Sequence, residues 1–107
     1  MNRTEVTVVR IYISEGRAQL DNLMKRLHDW EKVKGVSVFR GIEGFGDSGK
    51  IHTGKLMDLS FDLPLVVEFF DLPGKIETIL EHLEPNIKPG HMLIWNAWVN
   101  ESEQETE

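Results

Sequence analysis

The chain reads LPLVVEFFDLPGKIETILEHL from residue 63 to residue 83, and the spacing of its apolar residues changes in the middle. Residues 63–70 are apolar on both faces of a period-two element, and Pro64 suits only the start or the edge of such a strand. Asp71 can cap a following helix, Pro73 suits its first turn, and Pro85 discourages its continuation. The segment therefore predicts a strand followed by a helix, whose apolar stripe is Ile76, Ile79, Leu80 and Leu83.

A second strand and helix precede this pair. Residues 5–13 are rich in β-branched side chains and predict a strand, and residues 17–34 predict a helix that Gly35 is placed to stop. Residues 36–40 and 92–99 predict two more strands. The order βαββαβ predicts an α+β ferredoxin-like split sandwich, with two helices on one face of a four-stranded antiparallel sheet. The stripe of the first helix consists of Leu20, Leu23, Met24, Leu27 and Trp30.

Length and charge place the chain in a broad class. The 107 residues suit one domain over residues 1–100, followed by an acidic tail at 101–107 that we expect to be disordered. The tail carries four of the 18 acids and none of the 12 bases, so no dense basic face for nucleic acid is expected. Without cysteine, a signal sequence or an apolar run of about 20 residues, the chain predicts a soluble cytoplasmic protein with no direct membrane insertion.

The predicted strands are apolar on both faces, which two helices cannot cover together. In the third predicted strand Leu65, Val67 and Phe69 alternate with Val66 and Phe70. Burial of one large apolar side chain is worth about 1.5–3 kcal/mol, so an uncovered apolar sheet face favours self-association. We therefore expect a homo-oligomer.

A glycine-rich segment, RGIEGFGDSGKIHTG at residues 40–54, follows the second predicted strand. Glycine lets backbone N–H groups approach a ligand, and cations among the glycines can pair with an anion. The segment contains the spacing GxGxxG, but it lies between antiparallel strands and is neither a dinucleotide fingerprint nor a Walker loop. We predict an intersubunit site for an anionic small molecule, built by Arg40, Gly41, Gly44, Gly46, Lys50 and His52, with Lys88 and Gly90 from the turn before the last strand.

Two alternatives remain open. A small enzyme could act on a phosphorylated or anionic substrate through His52, although no partner nucleophile is fixed near it in the sequence. A ligand-free module could instead dock a protein through residues 41–57. We assign no catalytic residue and no metal ligand, because His28, His82 and His91 are dispersed without metal-binding spacing.

Residues 39–46 and 51–53 resemble the motif of the domain of unknown function 190 family, as do residues 59–64 and the third predicted strand with Asp71 at its end. That family is similar in fold to the PII signalling proteins. The resemblance implies a bacterial signalling homotrimer that binds an adenine nucleotide, such as ATP, ADP or AMP, in clefts between subunits. It also implies that loop 41–57 contacts a target such as a membrane transporter, a channel or an enzyme. The chain departs from PII proteins in lacking a loop tyrosine, since its one tyrosine is Tyr12.

Overall fold

A computed structural model describes residues 2–45 and 64–101 together with the backbone of residues 52–53, so residues 102–107 of the acidic tail lie outside it. A π-helical segment, Arg26–Glu31, continues the first helix, and a 3₁₀ turn, Glu84–Asn86, follows the second. The strands and helices are β1 (Asn2–Tyr12), α1 (Arg17–Lys25), β2 (Val36–Arg40), β3 (Glu43–Gly44), β4 (His52–Thr53), β5 (Leu65–Asp71), α2 (Pro73–Leu83) and β6 (Met92–Glu101).

The main sheet has four strands in the order β2-β5-β1-β6, and every neighbouring pair is antiparallel. β3 and β4 form a separate two-stranded ribbon. Both helices pack on one face of the main sheet, so the predicted α+β ferredoxin-like split sandwich is confirmed. Among the residues described, neither helix is long and apolar enough to cross a bilayer. The core between helices and sheet contains Val9, Ile11, Leu20, Leu23, Leu27, Val67, Phe69, Ile76, Ile79, Leu80 and Leu83.

The first helix ends earlier than predicted. Its α-helical part stops at Lys25, the following turn is π-helical, and Lys32 adopts the left-handed conformation with φ of 53°. The Lys32 N–H bonds to the Leu27 carbonyl, five residues back, so this wider turn rotates later side chains off the apolar stripe. The stripe therefore ends at the buried Leu27, and the prediction that Trp30 belongs to it is wrong, because Trp30 is 72% exposed. Gly35 is not needed as the stop.

β1 begins earlier than predicted, at Asn2, and β6 ends later than predicted, at Glu101. The pairing of β1 with β5 begins at Thr7. Ahead of Thr7, β1 pairs with β6 alone, from Asn2 opposite Glu101 to Val6 opposite Ala97. This projecting pair of strand ends is a two-stranded ribbon, held at its end by a hydrogen bond from the Thr4 hydroxyl to the Glu101 carboxylate. Glu101, the first residue of the predicted tail, is the last residue of β6.

Asp71 holds α2 in a different way from the one predicted. It is the last residue of β5, and the N-cap position of α2 is Leu72, which makes no side-chain cap. The buried Asp71 carboxylate accepts a hydrogen bond from the Leu72 backbone N–H at 2.8 Å and pairs with the Lys75 ammonium at 3.1 Å. The residue thus neutralises the helix N-terminus from the end of the strand.

Candidate functional site

Most of the predicted site residues that the structure describes lie at one end of the main sheet, the loop end, where β1 and β2 finish and β5 and β6 begin. Arg40 lies opposite Leu65, and the Leu65 carbonyl accepts a hydrogen bond from the Ile13 N–H at 2.9 Å. Tyr12 in turn donates its N–H to the His91 carbonyl, also at 2.9 Å. The loop end therefore carries the base of the glycine-rich segment and the start of β6.

Close packing against Pro64 explains two of the predicted site glycines. The Gly41 N–H donates to the Pro64 carbonyl at 2.7 Å, and a Cβ on either Gly41 or Gly44 would lie 3.2 Å from the Pro64 ring. Gly44 then pairs with His52, which closes the base of the segment as the β3–β4 ribbon. Arg40, Gly41 and Gly44 form one group, the loop half of the site. Gly46, Lys50 and the His52 side chain lie outside the described residues.

The turn before β6 forms the second group, the turn half. Gly90 has φ of 87°, and the His91 N–H donates to the Lys88 carbonyl at 3.1 Å. This arrangement is typical of a type II turn, which needs glycine at its third position. The turn borders a pocket of about 290 Å³, lined by one acidic residue, one basic residue and several apolar residues. Its lining residues are Glu84, Ile87, Lys88, Pro89, Gly90, Met92 and Ile94.

The two halves lie apart in a single chain. Arg40 is on β2 and Gly90 precedes β6, and these strands are the opposite edges of the four-stranded sheet. Neighbouring strands are about 4.8 Å apart, so three spacings separate the halves by roughly 14 Å. Both halves face the loop end, but the fold of one copy does not bring them together.

The face of the sheet opposite the helices is apolar around one ion pair. Both the Nε and a terminal nitrogen of Arg10 donate to one Glu68 oxygen, at 2.9 and 2.7 Å, and the Arg10 guanidinium lies 5.3 Å from the centre of the Trp95 ring. The hydrogen bonds that Arg10 donates to Glu68 raise the pKa of Arg10 above its ordinary value. The sequence analysis did not predict this pair. One basic and one acidic residue, each within an otherwise apolar strand, were the pattern that could have indicated it. Exposed apolar neighbours on this face are Tyr12, Phe39, Phe70, Leu93 and Trp95.

The three histidines with described side chains stay apart. His28 contacts Asp29 at 2.7 Å and, by this hydrogen bond, lowers the pKa of that carboxyl, while His82 contacts Glu31 at 2.8 Å. His91 lies 3.3 Å from the Pro89 carbonyl. Within the described part of the chain, no group of three or more potential metal ligands comes together.

Solved structures share this fold at low sequence identity. CPII from Thiomonas intermedia K12, bound to ADP and bicarbonate, superposes with a TM-score of 0.70 and 19% identity, over 94% of this chain and 93% of that one. A second CPII structure, described as a nitrogen regulatory PII-like protein bound to ADP, AMP and bicarbonate, gives a TM-score of 0.68 and 17% identity, over 94% and 92% of the two chains. The predicted PII-like fold is therefore confirmed.

Sequence relatives place the chain in a family. A UPF0166 protein of Aquifex aeolicus (strain VF5) is 34% identical over 82 residues, which cover 72% of this chain and 77% of the relative. A UPF0166 protein of Methanocaldococcus jannaschii is 29% identical over 92 residues, 81% of this chain and 83% of the relative. The family model described as "Uncharacterized ACR, COG1993" matches residues 6–99. As the resemblance of its glycine-rich motif implied, the chain belongs to that family, DUF190.

Proposed function

We propose that this protein is a PII-like regulatory homotrimer of the cytoplasm that binds an adenine nucleotide at clefts between its subunits. One observation carries the proposal: the loop half and the turn half face the same end of the sheet but lie at its opposite edges. A second copy is the simplest way to join them. The nucleotide is the first ligand to test because CPII, which has this fold, is known bound to ADP.

The chemistry of the two halves suits an anion with an apolar part. Arg40 offers a planar guanidinium at the end of β2, and Lys88 offers an ammonium at the pocket. The apolar pocket walls, which include Met92 and Ile94, can contact a flat ring. A phosphate chain beside the cations and a base against the apolar wall would use both features.

Regulation follows from the glycine-rich segment. Glycine-rich backbone loses much conformational entropy when it is fixed, so a ligand that contacts the segment would select one of its conformations. Residues 41–57 then present or withdraw a surface for a target, which we propose to be a transporter, a channel or an enzyme. The base of the segment, where Gly44 pairs with His52, would anchor this surface to the sheet.

Calorimetry with ATP, ADP and AMP tests the proposal. Removal of one charge-assisted contact costs about 1.5–3 kcal/mol, so Arg40→Ala should weaken the best of the three ligands by about ten- to hundredfold. The matched control is Arg3→Ala, which removes an exposed arginine from the other end of β1, opposite Asn100, and should bind as the parent does. Absence of heat with all three nucleotides would reject the nucleotide.

The same samples address the two alternatives. Incubation of the protein with the nucleotide, followed by chromatography, would detect hydrolysis, and its loss in His52→Ala would favour an enzyme. A protein that binds no small molecule but remains oligomeric would favour the docking module.

A further inference from the structure

We infer that the acidic residues 102–107, which lie outside the described part of the chain, dock onto a patch of lysines at the end of the helix layer of the same copy. The lysine patch consists of Lys32, Lys34 and Lys75. It lies at the ribbon end of the sheet, where β1 begins and β5 and β6 finish, away from the loop end. The inference therefore goes beyond the proposed function and does not depend on a nucleotide.

Contacts around Asp71 bring the three lysines together. The Asp71 carboxylate pairs with the Lys75 ammonium at 3.1 Å and accepts a hydrogen bond from the Lys34 backbone N–H. The Lys75 ammonium also donates to the Lys32 carbonyl at 2.8 Å. The left-handed conformation of Lys32 ends the first helix here, so the chain turns over the start of α2. The fold thus gathers three lysines around one buried carboxylate.

Positive charge is in excess at the lysine patch. Lys32 and Lys34 are exposed, and among the described residues neither ammonium group lies within 4 Å of a carboxylate. Asp29 is shared between Lys32 and Lys25, whose charges both act on it. Glu77 lies about 200° around α2 from the lysine of the patch on that helix, so it faces away. The surface is therefore suited to an acidic segment.

Residues 102–107 carry the opposite charge. They contain glutamate at positions 103, 105 and 107 and no basic residue. The whole chain has a formal net charge of −6, so much of its surface repels such a segment. A cluster of lysines close to the end of β6 attracts it instead.

Six residues are long enough to reach the patch. Asp71 lies opposite Thr7, and Glu101 lies opposite Asn2, which is about 17 Å further along β1. β5 and β6 are two strand spacings apart, about 10 Å, so Glu101 is roughly 20 Å from Asp71. Six extended residues span up to about 20 Å before their side chains are counted. The last glutamates can therefore meet the lysines at the start of α2.

The path to the patch runs along the helix side of the projecting ribbon. Trp98 lies on that side, as Met92 and Ile94 do, because alternate residues of a strand share a face. Trp98 is 65% exposed, since α2 begins where β5 ends and does not extend over the ribbon. A segment that folds back from Glu101 would therefore cover this ring on its way to the lysines.

Disulfide trapping tests the inference without background, because the chain has no cysteine. Leu72, at the start of α2, is 51% exposed and lies next to the buried carboxylate of the patch. Oxidation of Leu72→Cys combined with Thr106→Cys should give an internally bridged chain, which migrates faster than the reduced chain on a denaturing gel. Glu81→Cys in place of Leu72→Cys is the matched control. It is exposed and lies about 13 Å further along α2, so it should bridge at least about tenfold more slowly.

Charge dependence separates docking from mere nearness. Exchange of all three glutamates of residues 102–107 for glutamine should slow the bridge about tenfold, because several weak ion pairs act together. Salt at about 0.5 M should do the same, since it shortens the Debye length to about 4 Å. Lys32→Gln combined with Lys34→Gln should also slow the bridge, whereas Arg17→Gln, at the other end of the first helix, should leave its rate unchanged.

Three results would each overturn the inference. An unchanged rate with the glutamine-substituted segment would mean that the two cysteines meet by random approach. Equal bridging to Glu81→Cys would show that the segment has no preference for the lysine patch. Covalent dimers in place of an internally bridged chain would mean that the segment docks on another copy.

Discussion

Asp71→Asn is expected to loosen the junction between β5 and α2. The Asp71 side chain is 4% exposed, and its two oxygens contact the Leu72 N–H and the Lys75 ammonium. Burial by itself raises the pKa of this carboxyl, but the Leu72 N–H, the Lys75 charge and the Lys34 N–H outweigh burial and hold the pKa below its ordinary value. The ionised form is therefore the one that the fold stabilises.

The cost of the substitution follows from these contacts. The amide keeps its shape and one hydrogen bond, but a charged acceptor is worth about 1 kcal/mol more than a neutral one. Loss of a negative charge at the α2 N-terminus adds about 0.3–1 kcal/mol. Lys75 is partly solvated and keeps its hydration, so no buried cation is left behind. The sum predicts a loss of about 1.3–2 kcal/mol in the free energy of unfolding.

Urea unfolding followed by tryptophan fluorescence measures this loss at one fixed protein concentration, because assembly makes stability depend on concentration. A depressed folded-state pKa gives stability that is present in full above the unfolded value, about 3.9, and is lost as the pH falls through the folded value. The difference in the free energy of unfolding between the parent and Asp71→Asn should therefore be largest at pH 7 and should decrease below about pH 4.

The control is Asp21→Asn, which breaks an exposed ion pair with Arg17 and should cost less than about 0.5 kcal/mol. Equal stability of parent and Asp71→Asn at pH 7 would refute the reasoning. A gap that stays constant on acidification would show that the charge is not the cause.

Two further predictions concern the open sheet face and two glycines. Glu68→Gln removes the charge that pairs with Arg10, and if a neighbouring copy covers that face, the uncompensated guanidinium charge should weaken assembly, while Arg10→Met in the same chain should restore most of it. Sedimentation on dilution measures the oligomeric state. Assembly of Glu68→Gln that is as strong as that of the parent would mean that this face remains exposed to solvent. Gly74→Ala, in α2 with open space around it, should raise stability by about 0.5 kcal/mol, whereas Gly90→Ala, at φ of 87°, should lower it by about 1 kcal/mol. Thermal melts that move both variants in the same direction would contradict the backbone argument.

Apolar spacing was enough to predict the four main strands and both helices, because the residues that alternate or recur every three to four positions are those that pack in the core. The stripe of α2, from Ile76 to Leu83, is buried as predicted. Spacing failed at Trp30, since the π-helical turn changes the period that the prediction assumed. It also missed the first residues of β1, where polar Asn2 and Thr4 are held in a strand by pairing with distant β6.

The site was harder to predict from the sequence than the fold. Turn chemistry identified the need for glycine at Gly90, which is a local property of the backbone. Gly41 and Gly44 are predicted points of ligand approach, and the structure also packs them against Pro64, which lies 23 and 20 residues away along the chain. Contacts of this kind depend on the tertiary fold, and no local pattern reports them. The separation of Arg40 from Gly90 likewise emerges only from the strand order.

The projecting ribbon of β1 and β6 has a practical consequence for labelling. Asn2 lies opposite Glu101, so fluorophores or fusion partners attached ahead of one and behind the other would emerge side by side. β1 spans eleven residues at about 3.3 Å each, so this exit point lies roughly 33 Å from Tyr12 and the glycine-rich segment. A donor and an acceptor dye placed there would report on neighbouring copies while leaving the ligand end unobstructed.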